Sequence, residues 1–239
     1  MSATFERKEI KYLITKDQKR ELCKLAALYM ECDKFGKSLV KNIYYDTPER
    51  ILIKRSIEKP VFKEKLRIRS YNNEFNETGD VFIELKKKYK GIVYKRRIKL
   101  NCEDAICFMN ERDSIKRDNQ ILNEISYFKK LYKGLKPSVY LSYNREAYSA
   151  KDGADLRLTF DEDLLIREYD INFNDGVYGL RIIPEDKVVL EVKTLYGLPK
   201  WLIDFFERNG IYKTSFSKYG EGHKLLEKMK YKGGNDNVA

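Results

Sequence analysis

The sequence contains one histidine, His223, and four cysteines, Cys23, Cys32, Cys102 and Cys107, none of them in a CxxC pair. Structural zinc needs histidines or paired thiols, so the pattern argues against a structural zinc site. Cys23, Cys102 and Cys107 read instead as small apolar core residues, the reduced thiols of a cytoplasmic protein. No apolar run reaches the length that spans a bilayer, and Met1 to Arg7 has no apolar stretch of a secretory leader. Internal repeats and low-complexity tracts are lacking as well. What is there is a highly charged chain of 239 residues, 42% hydrophobic and 36% charged, with 48 Lys and Arg against 37 Asp and Glu and a net charge of +11. That suffices for one large domain, expected over residues 1–232, with a frayed tail over 233–239. The charge balance asks for an anionic partner: nucleic acid, a phosphorylated small molecule, a polyanion or a membrane surface.

Hydrophobic periodicity and turn residues divide the chain into eight or nine strands and four or five helices. A strand over 6–14 leads into a helix capped at Thr15 or Asp17. Val40–Tyr45 is a strand stopped by Asp46-Thr47-Pro48, a turn whose Asp and Thr are expected to satisfy backbone donors. Strands over 62–71, 80–88 and 92–100 follow as consecutive hairpins. Helices are expected over 103–110 and 119–132. Strands resume over 138–148, 154–165 and 187–195, with a weaker pair around 171–183. Pro199 starts a helix that Trp201 anchors in the core, and a last helix, carrying His223 as a packing or surface residue, runs to about Lys230. Strands clustered in hairpins argue against a doubly wound parallel sheet and for an antiparallel α+β barrel.

Splitting the strands into their two faces is more informative. Lys65, Arg67 and Arg69 share one face, Leu66 and Ile68 the other. Glu84 and Lys86 oppose Ile83 and Leu85; Glu191 and Lys193 oppose Leu190 and Val192; Asp155, Arg157 and Thr159 oppose Leu156, Leu158 and Phe160. Arg7, Glu9 and Lys11 share a face, as do Lys95 and Arg97, though Arg96 spoils the opposite side. One such strand is ordinary, apolar inward and solvated outward. The repetition of Arg and Lys is not, because cations ranked on one face repel each other without a counter-charge. If the amphipathic helices cover the apolar faces, the basic faces line a polar barrel interior; the alternative is a flat sheet with a basic outer face. Arg and Lys there would neutralise phosphate oxygens, and carboxylates would hold Mg²⁺ or Mn²⁺ bridging those oxygens. Glu191 is the first metal candidate; Glu9 and Glu84 follow, each equally readable as a salt-bridge partner.

Taken in order, these pieces resemble the catalytic domain of the vacuolar transporter chaperone (VTC) polyphosphate polymerases, within the triphosphate tunnel metalloenzyme (CYTH-like) superfamily. The resemblance rests on Glu6 to Leu13, Tyr44-Tyr45-Asp46-Thr47-Pro48, Lys65 to Arg69, Phe82 to Lys87, Tyr143 to Tyr148, Leu156 to Asp161, Leu190 to Lys193 and Ser215 to Tyr219. It implies an α+β fold whose core is an eight-stranded antiparallel β-barrel, the triphosphate tunnel, with helices packed outside. Carried over by motif, Lys11, Arg67, Arg69, Lys86, Arg145, Arg157, Lys193 and Lys218 are implied phosphate ligands, with Lys95 and Arg97 as further lining residues and Glu191 as the metal carboxylate. The first strand departs from the hydrolytic branch's Glu-x-Glu-x-Lys, reading Arg7, Glu9, Lys11, and this favours a polymerase-like branch. The phosphate-sensing domain and transmembrane helices of eukaryotic members are lacking, which implies a stand-alone cytoplasmic enzyme or one recruited to a separate membrane protein.

The resulting expectation is metal-dependent transfer of the terminal phosphoryl group of ATP onto phosphate or polyphosphate. Arg67, Arg69, Arg145, Arg157 and Glu191 would be the catalytic set. Hydrolysis of tripolyphosphate or a nucleoside triphosphate in the same tunnel is the second reading. A non-catalytic polyanion or nucleic-acid binder is the third, although the 18 Tyr and 12 Phe mostly alternate as core residues rather than as base-stacking platforms.

Overall fold

The structure, a computed structural model, describes residues 8–58, 60–72, 77–90, 92–110 and 119–235. Among them are ten strands and six helices, in the order β1 (Lys8–Thr15), α1 (Lys16–Ala26), β2 (Met30–Asp46), α2 (Ile51–Ile57), β3 (Phe62–Ser70), β4 (Asp80–Tyr89), β5 (Ile92–Asn101), α3 (Cys102–Met109), α4 (Gln120–Leu131), β6 (Lys136–Ala150), β7 (Leu156–Arg167), β8 (Leu180–Arg181), β9 (Lys187–Thr194), α5 (Lys200–Arg208), β10 (Lys213–Thr214) and α6 (Lys218–Asn235). The strands hydrogen-bond in the order β10-β1-β9-β7-β6-β2-β3-β4-β5, with β8 paired to β7. Pairing is antiparallel along β10-β1-β9-β7 and along β2-β3-β4-β5. The fold is thus α+β with a large antiparallel sheet. Among the described residues the strand path runs from β10 to β5; this pairing shows the large antiparallel sheet of the expected α+β fold and not its closure into an eight-stranded barrel.

The chain divides into two compact units, which three of the long strands serve in turn. Unit 1 comprises Met1–Ser38, Tyr143–Leu164 and Arg181–Lys218, and unit 2 comprises Leu39–Ser142, Leu165–Leu180 and Tyr219–Ala239. In unit 1, Leu22 and Ala26 of α1 and Leu202, Phe205 and Phe206 of α5 pack on the apolar residues of β1, β7 and β9, among them Ile14, Leu158, Phe160 and Leu190. Trp201 packs against this core and stacks on Tyr29 at 4.9 Å. In unit 2, Ala105, Phe108, Leu122, Ile125 and Phe128 of α3 and α4 cover Leu66, Ile68, Ile83 and Leu85 of β3 and β4. In both units, then, helices bury the apolar pleat and leave the charged pleat on the other side.

Local chemistry explains the helix starts. Thr15 caps α1 in a reciprocal box with Gln18, at 3.1 Å and 2.9 Å. Asn101 and Asn119 cap α3 and α4 through their side-chain oxygens. Each cap is worth about 1 kcal/mol. The sequence reading did not find α2, because the cap is not local. Thr47 Oγ1 accepts from Ile51 N at 3.2 Å, and both carboxylate oxygens of buried Asp46 accept the next two donors, Oδ1 from Leu52 N and Oδ2 from Ile53 N, each at 2.9 Å. Oδ1 also accepts from Thr47 N at 2.8 Å, so this turn is structural as expected.

Other boundaries differ for physical reasons. β2 starts at Met30 rather than Val40, since its first half is polar and carries no apolar alternation. The weak strand pair over 171–183 reduces to β8. Buried Arg167 donates instead to the carbonyls of Asp170, Gly176 and Tyr178 and lies between the rings of Tyr140 and Tyr178, at 3.7 and 4.2 Å, so this segment forms a loop around a guanidinium. The last helix runs to Asn235, into the segment read as a frayed tail; residues 236–239, like Glu6 and Arg7 of the first strand, lie outside the described residues. The four cysteines are free, Cys102 buried and Cys32 exposed.

Candidate functional site

Each unit carries a charged cluster on the strand face opposite its apolar core, away from α1 and α5 in unit 1 and from α3 and α4 in unit 2. In unit 2 the register sets Arg67 of β3 beside Glu84 of β4, and Glu84 beside Arg97 of β5. Arg69 and Lys95 lie one pleat away on either side. Glu84 is the hub, its side chain only 1% exposed. Arg67 donates Nε and Nη2 to Glu84 Oε2 at 2.8 and 2.6 Å. Lys95 Nζ is 2.7 Å and Arg97 Nε 3.5 Å from Oε1, and Arg69 Nε is 3.9 Å from Oε2. Burial alone would push the Glu84 carboxyl up, but Arg67, Arg69 and Lys95 outweigh it and hold the group well below the usual carboxylate range.

Aromatic and amide groups fix the arginine forks. Arg67 Nη1 donates to Tyr44 Oη at 2.8 Å, and Tyr44 stacks on Tyr219 at 4.2 Å. Arg69 Nε donates to Asn42 Oδ1 at 2.9 Å, and the Arg97 guanidinium lies 3.6 Å over the Phe82 ring. Lys86 takes its place in register between Lys65 and Lys95. Four cations therefore share a single carboxylate, which leaves this face strongly positive.

The cluster of unit 1 is more nearly balanced. Glu191 of β9 lies between Lys11 of β1 and Thr159 of β7, and Lys193 between Glu9 and Arg157. Lys193 Nζ is 2.7 Å from Glu191 Oε1, and Lys11 Nζ is 3.3 Å from Glu9 and donates to Phe216 O at 3.2 Å. Burial raises the Glu191 carboxyl, but Lys193, Lys218 and Lys11 together hold it far below its ordinary value. Arg157 stands apart, about half exposed and bonded to Asp33 Oδ2 at 2.9 Å.

The residue that sequence reasoning missed is Asp161. Its side chain is 0% exposed, Arg145 grips it with both sides of its fork at 2.6 and 2.7 Å, and Lys218 reaches it at 2.5 Å. Lys218 and Arg145 also lie 4.9 and 5.2 Å from the Tyr143 ring centre. The signal was present: the alternation Asp155, Arg157, Thr159 continues two residues further to Asp161. His223, by contrast, is a buried packing residue of α6, its imidazole held below its usual pKa by burial.

For a divalent metal, the donor set is informative. No three of the described His, Cys, Asp and Glu residues gather into a metal-ligating group. Glu84 has both oxygens engaged by cations, the salt-bridge arrangement set beside metal binding in the sequence reading, and Glu9 is paired with Lys11. Glu191 faces three lysines and offers a single buried carboxylate. Mg²⁺ and Mn²⁺ are commonly held by one or two carboxylates together with substrate phosphates, so Glu191 fits an ion completed by its substrate rather than one caged by protein.

Known proteins share this fold. A candidate adenylyl cyclase from Hippeastrum, whose dominant activity is that of a triphosphatase, superposes with a TM-score of 0.57 at 16% identity over 90% of this chain and 94% of its own. A candidate adenylate cyclase from Bacillus halodurans does so with a TM-score of 0.55 at 14% identity, over 89% and 95%. No curated protein matches the sequence. Identities this low establish the architecture alone, but the VTC domain model matches residues 6–227, nearly the entire chain, and the protein therefore belongs to the VTC domain family, as its ordered motifs implied.

Proposed function

We propose that this protein is an enzyme that transfers the terminal phosphoryl group of ATP onto inorganic phosphate or a polyphosphate end. The observation that carries the reading is the gathering of cations on the β3-β4-β5 face, where Arg67, Arg69, Lys95 and Arg97 converge on the buried Glu84. Cations pre-aligned on three strands suit a ligand with several adjacent negative charges. The closed tunnel that the resemblance implies is part of the same proposal.

Phosphoryl transfer needs alignment and charge stabilisation more than covalent help. Arg67, Arg69, Arg145 and Arg157 clamp non-bridging oxygens in this scheme, while Lys11, Lys86, Lys95, Arg97, Lys193 and Lys218 neutralise charge. Arg145 and Lys218 are immobilised by Asp161, so they need little reorganisation when charge develops. The attacking phosphate oxygen is already ionised, and no side chain has to remove a proton. Superfamily membership implies dependence on a divalent metal. Held by Glu191 and phosphate oxygens, Mg²⁺ or Mn²⁺ would neutralise charge on the phosphates. Among the described residues no helix is long and apolar enough to cross a membrane, which fits the cytoplasmic enzyme of this proposal.

Incubation of purified protein with ATP and manganese, with products resolved on a gel for phosphate chains, tests the reading. Metal-dependent appearance of polymer together with ADP supports it. Orthophosphate as the sole phosphate product would replace it with hydrolysis, the reading favoured by the triphosphatase activity of the Hippeastrum protein. Neither product, with tight polyanion binding, would leave only a binding domain.

A further inference from the structure

The charged pleat of β7 carries Arg157, Thr159 and Asp161. Arg157 is paired with Asp33, and Asp161 with Arg145 and Lys218. Thr159 is the odd member: it is 2% exposed, and its hydroxyl has no hydrogen-bond partner among the described residues. A buried hydroxyl left unmatched lowers stability, and valine would fill the same volume without that penalty. Valine would also supply the β-branching that a strand favours. Fold stability therefore gives no reason for the hydroxyl, and the register shows what it faces. Thr159 is paired with Glu191 of β9 on the same pleat, and opposed residues of an antiparallel pair hold their Cβ atoms about 5 Å apart.

We infer that the Thr159 hydroxyl is the second protein oxygen for the divalent ion at Glu191, and that it positions the ion against the phosphates. The inference rests on the metal role proposed above for Glu191. A hydroxyl beside one carboxylate is a sufficient protein share for such an ion. Phosphate-binding loops hold Mg²⁺ with a Ser or Thr hydroxyl and one Asp, and phosphate oxygens and water fill the remaining positions. The neighbouring carboxylates are otherwise engaged. Asp161 gives Oδ1 to Arg145 and Oδ2 to Arg145 and Lys218, and Glu9 is paired with Lys11. Lys193 likewise takes Oε1 of Glu191 at 2.7 Å. Among these cations a second acid would be drawn into an ion pair, whereas a neutral hydroxyl keeps its lone pairs for a metal. Phosphate oxygens already have donors here in Arg145, Lys193 and Lys218; oxygen acceptors for a cation are what the face is short of.

Calorimetric titration of tripolyphosphate into the intact protein, once with Mn²⁺ and once with a chelator, tests this. Thr159→Val removes the oxygen and keeps the shape; Thr159→Ser keeps the oxygen. Thr159→Val should weaken binding in Mn²⁺ about tenfold and leave metal-free binding unchanged. Its melting temperature without metal should stay level or rise, and Thr159→Ser should bind as the wild type does. Undiminished Mn²⁺-dependent binding by Thr159→Val overturns the inference. So does equal weakening with and without metal, which would assign the hydroxyl to phosphate. A lower melting temperature with metal-dependent binding intact also overturns it, by making the hydroxyl structural. Glu191→Gln reads the underlying site separately: loss of the Mn²⁺-dependent gain supports the metal role of Glu191, and an undiminished gain overturns that role whatever the Thr159 variants do.

Discussion

Replacing Asp161 by Asn should cost about 3 kcal/mol of folding stability, and the figure follows from what the carboxylate holds. Asp161 has no solvent exposure, and its two oxygens compensate the Arg145 guanidinium and the Lys218 ammonium, whose side chains are 18% and 11% exposed. The amide keeps the shape but removes the charge, leaving two desolvated cations close to each other. Breaking one side of a buried ion pair typically costs 3–5 kcal/mol; the partial exposure of both partners puts Asp161→Asn at about the lower end. Urea denaturation should show a lower midpoint with an unchanged slope, and a melting temperature lower by roughly 6–12 °C. The pH dependence carries a sign. Burial raises the Asp161 carboxyl, but Lys218 and Arg145 bring it below its ordinary value. A depressed carboxylate stabilises the fold above its unfolded pKa of about 3.9, and that increment is lost as pH falls through the folded value. The wild type should therefore lose its advantage over Asp161→Asn on acidification below about pH 4. A loss under about 1 kcal/mol at neutral pH would refute the reasoning, since it would mean that Arg145 and Lys218 find other partners at no cost.

Glu191→Gln should abolish metal-dependent turnover of ATP while the circular dichroism of the fold persists; full metal-dependent activity in this variant removes Glu191 from the metal site. Arg67→Lys should weaken ATP binding by about tenfold, because a lysine cannot hold Glu84 and a phosphate oxygen with one planar fork; titration calorimetry reads this directly. Asp46→Ala should destabilise the fold by about 2 kcal/mol without altering tripolyphosphate affinity, since it strips α2 of its cap and leaves the bound backbone donors unmatched. Thermal denaturation and a parallel binding isotherm separate the two effects.

Much of this molecule is written in local sequence. The pleat alternation of Lys65 to Arg69, Phe82 to Lys86 and Leu190 to Lys193 fixes which side chains share a face, because successive residues of a strand point to opposite sides whatever the rest of the chain does. The helices α1, α3 and α4 announce themselves by caps and apolar spacing, and α5 by Pro199 and apolar spacing. α2 does not, since its donors are satisfied by Thr47 and Asp46, upstream of its first turn, and the loop after Arg167 does not, since a buried guanidinium replaces strand pairing there.

Faces could be read, but neighbours could not. That Glu84 serves four cations, that Arg145 and Lys218 converge on Asp161, and that lysines on three strands align in rows all depend on strand register, which is set by long-range pairing and core packing. The sequence by itself determined a basic, phosphate-seeking face built on apolar strands. Only the tertiary structure decided which carboxylate answers which cation, because that choice is made between residues more than a hundred positions apart, as Arg157 and Asp33 are.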